Sequence, residues 1–164
     1  MASNTLQNYE QLSYGAPGLS MWRAQGQQII DDAVATRTLV ASESGALCLF
    51  NRAAGVVYTL PTPVAGMYFE FATVTTITSN AAKIITSAAT EFLLGDVQMC
   101  IAGAATTLFA AANGSTIRAL SSNGTTTGGV IGDRYFVRAI SSTQWLIHGF
   151  VSGSGTLATP FATS

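Results

Sequence analysis

The chain has 164 residues, a formal net charge of −1 at neutral pH and only 9% charged side chains, against the ~25% that is usual in soluble proteins. Its seven Lys and Arg residues are scattered, so no basic patch argues for a nucleic-acid partner. No apolar run approaches the ~20 residues of a membrane-spanning helix, and residues 1–15 lack the basic and apolar regions of a secretory signal peptide. We therefore expect a protein made in a cytoplasm, without a nucleic-acid or membrane partner.

The composition also indicates association. Hydrophobic residues make up 48% of the chain, and the mean hydropathy is +0.37. A monomer with so few charges would expose much neutral surface and would be poorly protected against association. We expect that copies of the chain or a larger assembly cover part of this surface.

Residues 1–35 differ from the rest and predict an extended N-terminal arm. They are polar and irregular, with large side chains spaced along them without a period: Tyr9, Leu12, Tyr14, Leu19, Met21 and Trp22. Such large residues are unusual in a disordered tail, so we expect the arm to dock on a partner. The alternatives are a tail that lies on its own domain and a partly disordered leader. Residues 24–34 could add one or two helical turns.

The strongest local signal is the stretch 56–71, VVYTLPTPVAGMYFEF. Apolar residues alternate at a period of two before and after the turn, which predicts two strands that each bury one face. The two prolines at 61 and 63 end the first strand, because proline has no backbone N–H to donate. The glycine at 66 lets the chain turn before the second strand.

Short strands separated by turn signals continue to residue 150, which predicts one β domain over residues 36–150. The pattern favours an all-β fold, an antiparallel sandwich or barrel that is jelly-roll-like, and the absence of an exact internal repeat argues against a solenoid. Residues 151–164 are rich in Gly, Ser and Thr and predict a flexible C-terminal tail. The further predicted strands are 36–41, 46–50, 73–78, 83–86, 91–94, 97–101, 106–111, 115–120, 134–140 and 144–150.

The residues that could carry chemistry do not form a catalytic pattern. His148 is the only histidine, and no nucleophile motif accompanies it, so we interpret it as a packed or interface residue. The carboxylates are dispersed. Asp96 and Asp133 each follow a glycine, which is typical of turns, although a calcium ligand is the alternative. We expect no enzyme activity, no cofactor and no metal site.

The chain has two cysteines, Cys48 and Cys100, and both lie in apolar, strand-like runs. We interpret them as buried thiols that pack as small hydrophobic groups. A disulfide would form only if their strands were neighbours, and a cytoplasmic origin disfavours it.

Three segments resemble a β-rich module of tailed-bacteriophage virion proteins. They are YTLPTPVAGMYFEF at 58–71, TSNAAKIITSAATEFLLG at 78–95 and GDRYFVRAISSTQWLIHG at 132–149. The shared features are a Leu-Pro turn, an Ala-Gly turn into an aromatic strand, a Ser-Asn-Ala segment, and a closing Gly-Asp, aromatic strand and Trp strand. The resemblance covers roughly residues 56–150.

This resemblance implies a structural role. Such modules occur on capsid decoration (cement) proteins and on tail fibres or spikes, commonly as trimers. Because the module here follows only a short arm, we expect a homotrimeric decoration protein on the capsid exterior that stabilises the mature head. The arm residues would contact the major capsid protein, and Tyr135, Arg138 and His148 would form the trimer interface. The alternative is a receptor- or carbohydrate-binding knob of a tail fibre or spike.

Overall fold

The computed structural model describes residues 27–164 and shows two β-sheets packed against each other as a sandwich. The predicted all-β sandwich is therefore confirmed, and the barrel alternative is not formed. A 3₁₀ turn lies at Ala41–Glu43. The strands are β1 Ile29–Ile30, β2 Thr36–Thr38, β3 Leu47–Phe50, β4 Val57–Thr59, β5 Tyr68–Thr73, β6 Ala82–Ile85, β7 Phe92–Ile101, β8 Thr107–Asn113, β9 Ala119–Ser122, β10 Arg134–Ala139, β11 Gln144–Gly153 and β12 Phe161–Ala162.

Both sheets are mixed, whereas the sequence pattern predicts antiparallel sheets. The seven-stranded sheet has the order β1-β3-β5-β10-β11-β7-β8, and the five-stranded sheet has the order β12-β9-β6-β4-β2. Five strand pairs are parallel and five are antiparallel. This arrangement departs from a jelly roll, which is antiparallel throughout.

The first half of the chain winds between the two sheets in three coils. Strands β1, β3 and β5 are parallel neighbours in the seven-stranded sheet, and β2, β4 and β6 are parallel neighbours in the five-stranded sheet. Each strand of one sheet is thus followed by a strand of the other. The coils recur in space without an exact repeat in sequence, and the fold as a whole is a sandwich of two sheets.

The second half completes the sandwich with antiparallel pairs. The β10–β11 hairpin lies between β5 and β7, so that β11 pairs in parallel with β7 over its whole length. Strand β8 pairs with β7, and β9 and β12 extend the five-stranded sheet. β8 is the last strand of the seven-stranded sheet, and β12 is the terminal strand of the five-stranded sheet on the same side of the sandwich. These two strands contact each other.

The core lies between the two sheets and is rich in aromatic side chains. Phe50, Tyr58 and Phe71 form a cluster with ring centroids 5.4–5.9 Å apart, and Trp145 packs beside Phe69 at 6.1 Å. All five side chains are at most 1% exposed. Burying a side chain of this size contributes about 1.5–3 kcal/mol, so this cluster is a main source of stability.

The stretch 56–71 folds largely as its alternation predicts. Val56, Tyr58 and Leu60 are buried, and so are Met67 and its alternate neighbours in β5. The two strands do not pair with each other, however. The Pro-Gly connection carries the chain from the five-stranded sheet to the seven-stranded one, so it is a crossover between sheets.

Three other sequence predictions are corrected. Residues 74–78 form a loop after β5, although their β-branched composition predicts a strand. The segments 91–94 and 97–101 join into one long strand, β7. The Asn-Gly pairs at 113 and 123 close no two-residue hairpins: Asn113 and Asn123 accept backbone N–H bonds in local turns.

The domain boundaries also differ from those predicted. Ile29 and Ile30 form β1 and pair with β3, so the β domain begins before residue 36, and the described part of 24–34 has no helix. The expectation of a flexible tail over 151–164 is wrong, because β11 extends to Gly153 and β12 pairs with β9 with Phe161 buried. In the described residues, no helix is long and apolar enough to cross a membrane.

Candidate interaction surface

The outward side of the seven-stranded sheet, here called the outer face, carries large apolar side chains. Period-two alternation places them there, since one side of each strand fills the core and the other side faces outward. Cross-strand registers put Leu47, Glu70, Phe136, His148 and Asp96 in one row. A neighbouring row includes Phe150, which is 61% exposed, and ends at Phe109, which is 66% exposed.

An aromatic stack lies at the middle of the outer face. Tyr68 stacks on Phe136 with centroids 5.8 Å apart, and Phe136 stacks on His148 at 5.1 Å with an angle of 13° between the rings. The Arg138 guanidinium lies over this stack, 5.7 Å from the Tyr68 centroid and 5.3 Å from the Phe136 centroid. Such cation–π contacts hold the guanidinium against the rings, so the stack presents flat apolar surface beside a fixed positive charge.

Four charged residues accompany these rings. Arg134 and Arg138 lie on β10, Glu70 on the adjacent β5, and Asp96 on β7. Within residues 27–164 the ion pairs are those of Arg37 with Asp32 and with Glu43, so none of the four charges on the outer face is paired there. The face therefore offers both signs of charge to a partner.

A shallow depression of about 350 Å³ opens on the same face. Leu47, Glu70, Arg134, His148 and Phe150 contribute to its lining. Its walls are mostly apolar, and it has no pair of an acid and a base within hydrogen-bond distance, as nucleophilic catalysis would need. The geometry supports binding of a flat or apolar group.

The three residues predicted for the trimer interface do not lie together. Arg138 and His148 are exposed on the outer face. Tyr135 points into the core, where it is 2% exposed and its hydroxyl lies 2.7 Å from the Ser122 hydroxyl. Burial raises the pKa of Tyr135 above its ordinary value. Tyr135 is therefore a core residue, and its assignment to an interface is corrected.

The two cysteines have opposite environments and do not form a disulfide. Cys48 is fully buried, and burial raises its pKa to about 12. Cys100 is exposed, so the expectation of two buried thiols is correct for Cys48 alone. The Cys100 thiol donates to the Val151 carbonyl oxygen, with a sulfur–oxygen distance of 3.7 Å.

The two aspartates that follow a glycine have different roles: Asp133 holds a turn, and Asp96 lies on the surface. Both carboxylate oxygens of Asp133 accept backbone N–H bonds, from Gly129 at 2.7 Å, Val130 at 3.0 Å and Ser152 at 2.7 Å. A carboxylate surrounded by N–H donors is poorly placed to bind a cation. Asp96 is exposed on the outer face, and residues 27–164 contain no cluster of three His, Cys, Asp or Glu side chains that could hold a metal ion.

His148 and Arg138, which we predict to be interface residues, lie on this surface, and Tyr68, Phe136 and Phe150, which we do not predict there, complete it. Their signal is present, since large side chains occupy both faces of β5, β10 and β11. The six arm residues, Tyr9 to Trp22, lie outside the described residues. Comparison of the chain with protein-family models, with curated proteins and with solved structures finds no match.

Proposed function

We propose that this protein is a structural component of a tailed-bacteriophage virion, a trimeric decoration protein that stabilises the mature capsid from its exterior. The observation that carries the proposal is the outer face, a broad sheet surface on which Phe109 and Phe150 are exposed, on a chain with 9% charged residues. A surface of this kind is a common site of protein association. The resemblance of residues 56–150 to virion modules provides the biological setting.

The charges of the outer face suit contact between identical copies. In a ring of three, each copy uses one part of the surface to meet a different part of the next copy. The guanidinium groups of Arg134 and Arg138 on one copy can then meet Glu70 or Asp96 on another. Complementary charge would fix the orientation of the copies, while the aromatic side chains supply most of the buried area.

The arm would contribute the contact with the major capsid protein. Three linked copies would present three arms, and simultaneous binding raises the overall affinity well above that of one arm. Removal of residues 1–30 would also remove β1, so substitution within the full chain is the cleaner test. We expect the triple substitution Tyr9→Ala, Leu12→Ala and Tyr14→Ala to abolish capsid binding without changing the mass of the oligomer.

The first experiment is the solution mass of the full chain by light scattering after gel filtration, followed by sedimentation with phage capsids that lack decoration. We expect a mass of three chains and co-sedimentation with the capsids. A trimer that does not bind capsids would overturn the decoration role. A monomer that stays monomeric at high concentration would overturn the self-association on which the proposal depends.

A second function is favoured by the aromatic stack beside the depression. The apolar face of a sugar ring can pack on flat aromatic side chains, and Glu70, Arg134 and Arg138 could bond its hydroxyl groups. A carbohydrate-binding knob of a tail fibre or spike would use this arrangement. Binding of the protein to host surface polysaccharide, lost in Phe136→Ala and absent toward capsids, would select this function.

A further inference from the structure

Among the edge strands within residues 27–164, β8 differs from the others in its length. The edge strands β1 and β12 have two residues each, β2 has three, and β8 has seven. Proteins commonly protect an exposed edge by keeping its strand short, or with a charged residue, a proline or a bulge. The sequence of β8, TLFAAAN, has no charge and no proline, and its register with β7 runs without a bulge. β8 therefore lacks each of these protections.

The backbone of β8 directs hydrogen-bonding groups away from its sheet. Gly114 N–H donates to the Leu93 carbonyl at 2.8 Å, and Ile101 N–H donates to the Thr106 carbonyl at 3.2 Å. The register between these two bonds is continuous, so the even-numbered residues of β8 bond to β7, because hydrogen-bonded pairs alternate along an antiparallel ladder. The N–H and C=O groups of the odd-numbered residues face the free edge, and no backbone group within residues 27–164 bonds to them.

The side chains of β8 alternate between the two sides of the sheet. Phe109 and Ala111 lie on the outer face, where both are exposed, and Ala110 and Ala112 are buried on the core side. Leu108 lies on the core side as well and packs against the core. Each side of the strand thus carries one large apolar side chain and small neighbours.

A second copy of β8 fits this edge in the antiparallel direction, around a twofold axis. An axis through Ala110 pairs the strand over its full length of seven residues. It sets odd-numbered residues opposite odd-numbered ones, so that the free N–H and C=O groups of the two copies meet. On the outer face Phe109 would lie opposite Ala111 of the partner subunit. On the core side Leu108 would lie opposite Ala112 of the partner subunit, so that each large side chain meets a small one.

We infer that the free edge of β8 pairs with β8 of a second copy and joins the two seven-stranded sheets into one continuous sheet. The outer faces of both copies would lie on the same side of this sheet, so the row that contains Phe150 and ends at Phe109 would continue onto the partner subunit. The inference goes beyond the proposed function and does not depend on it. The proposed trimer contact uses the outer face, whereas this contact uses the backbone of the edge.

The area of the contact sets its strength. A strand of seven residues is roughly 24 Å long and sheets pack about 10 Å apart, so the edge covers roughly 240 Å² on each copy. A stable interface covers about 800 Å² on each partner. We therefore expect pairing at millimolar concentration, or where copies are held close together, and no pairing at low micromolar concentration.

Amide hydrogen exchange of the full-length protein at these two concentrations, measured by NMR, tests the pairing. We expect the Phe109 and Ala111 amides to exchange severalfold more slowly at millimolar concentration, while the amides of β11 exchange equally at both. Isotope-filtered NOE measurements on a mixture of labelled and unlabelled chains report the register. They should connect the Phe109 ring to the methyl group of Ala111 of the partner subunit.

Two substitutions at one position provide matched variants. Ala111→Pro removes an N–H of the free edge and leaves the bonds between β8 and β7 intact, because an edge strand tolerates proline where the missing N–H faces solvent. The Phe109 amide should then exchange equally fast at both concentrations. Ala111→Ser retains the N–H and should retain the slower exchange at millimolar concentration. If Ala111→Pro fails to fold, Phe109→Lys is expected to abolish the concentration dependence at the Ala111 amide, because a charged edge residue opposes pairing.

Four results would overturn the inference. Equally fast exchange of the two amides at both concentrations in the natural sequence would show that the edge stays unpaired. Slow exchange that persists at low micromolar concentration, in a species of one or three chains, would show that the same chain covers the edge. An equal response to proline and serine at position 111 would exclude pairing through the backbone. NOEs between the Phe109 rings of two copies would exclude the register centred on Ala110.

Discussion

The buried carboxylate of Asp133 joins the turn before β10 to the far part of β11. One oxygen accepts two N–H groups of the turn and the other accepts the Ser152 N–H. The side chain is 2% exposed, so water is largely excluded from these bonds. Loss of the carboxylate would leave buried donors without partners, each at a cost of about 1–3 kcal/mol.

We predict that Asp133→Asn lowers the free energy of unfolding by about 2 kcal/mol at neutral pH. The asparagine oxygen can still accept from Gly129 and Val130, but its NH₂ group would meet the Ser152 N–H, where both groups are donors. Urea denaturation measures the difference. Asp96→Asn is the matched control, and we expect it to stay within about 0.5 kcal/mol because Asp96 is exposed. Equal effects of the two substitutions would contradict this role for Asp133.

The comparison of Asp133→Asn with the natural protein also predicts how stability depends on pH. Burial raises the pKa of Asp133 above 3.8, against the three N–H donors that lower it. The folded state therefore holds this proton more tightly than the unfolded state, and its contribution to stability declines as the pH rises from 3.8 through the raised pKa. Asp133→Asn lacks this titration. The difference in free energy of unfolding between the natural protein and Asp133→Asn should therefore be smaller at neutral pH than at pH 3. An equal difference at the two pH values would contradict the raised pKa of Asp133.

At the scale of elements, the central feature is the parallel pair of β7 and β11, which joins the β10–β11 hairpin to the antiparallel pair of β7 and β8. Gly95 lies opposite Ile147 in this pair with φ of +130°. A Cβ at this position would lie 2.0 Å from the Ile147 carbonyl oxygen. The close approach of the two backbones therefore requires glycine.

We predict that Gly95→Ala lowers the free energy of unfolding by about 3 kcal/mol or more, because it combines a backbone clash with an unfavourable φ. Gly66→Ala is the matched control, because it introduces an unfavourable φ without a clash. Gly66 has φ of +94°, and an added Cβ there would meet nothing within 4 Å. We expect Gly66→Ala to lower the free energy of unfolding by about 1–2 kcal/mol, because of φ alone. Thermal and urea denaturation of both variants measure the difference, and comparable losses would exclude the clash.

Alternation along single strands is what the sequence predicts well. In the stretch 56–71 it predicts that each strand buries one face, and Tyr58 and Phe69 are buried accordingly. It also places Tyr135 and Arg138 on opposite faces, so the pattern itself argues against putting both in one interface. Inward and outward positions follow from local residue order, which is why they can be read from the sequence.

Strand partners could not be predicted in the same way. Pro61 and Gly66 mark the end of one strand and the start of the next, but such turns are equally compatible with a hairpin and with a crossover to the second sheet. The pairing of β3 with β5 depends on the geometry of a whole coil. The aromatic stack of the candidate surface depends on these pairings, so only its separate members were predictable.

At the scale of the whole molecule, the outer face should decide the state of association. We predict that Phe150→Asp converts the proposed trimer to a monomer at low micromolar concentration, because it places a charge among the exposed aromatic side chains that copies would bury. Phe150 is 61% exposed, so the free energy of unfolding of the single chain should change by only about 0.5 kcal/mol. Light scattering and denaturation together measure both quantities.

Val64→Asp is the matched control for that prediction. Val64 has nearly the same exposure, 62%, but lies in the loop between β4 and β5. It should leave the mass unchanged. If both substitutions dissociate the trimer, the loss reflects the added charge in general; if neither does, the copies meet through another surface.

The order of the strands has a consequence for synthesis of the chain. β5 begins the third coil and ends at Thr73, but its second neighbour, β10, begins only at Arg134, 61 residues later (134 − 73 = 61). At translation rates of about 5–20 residues per second, this gap lasts roughly 3–12 s. Throughout this interval the nascent chain carries an unpaired edge beside its most aromatic strand. We expect the growing polypeptide to be most exposed then to mispairing with a copy on the next ribosome of the same message.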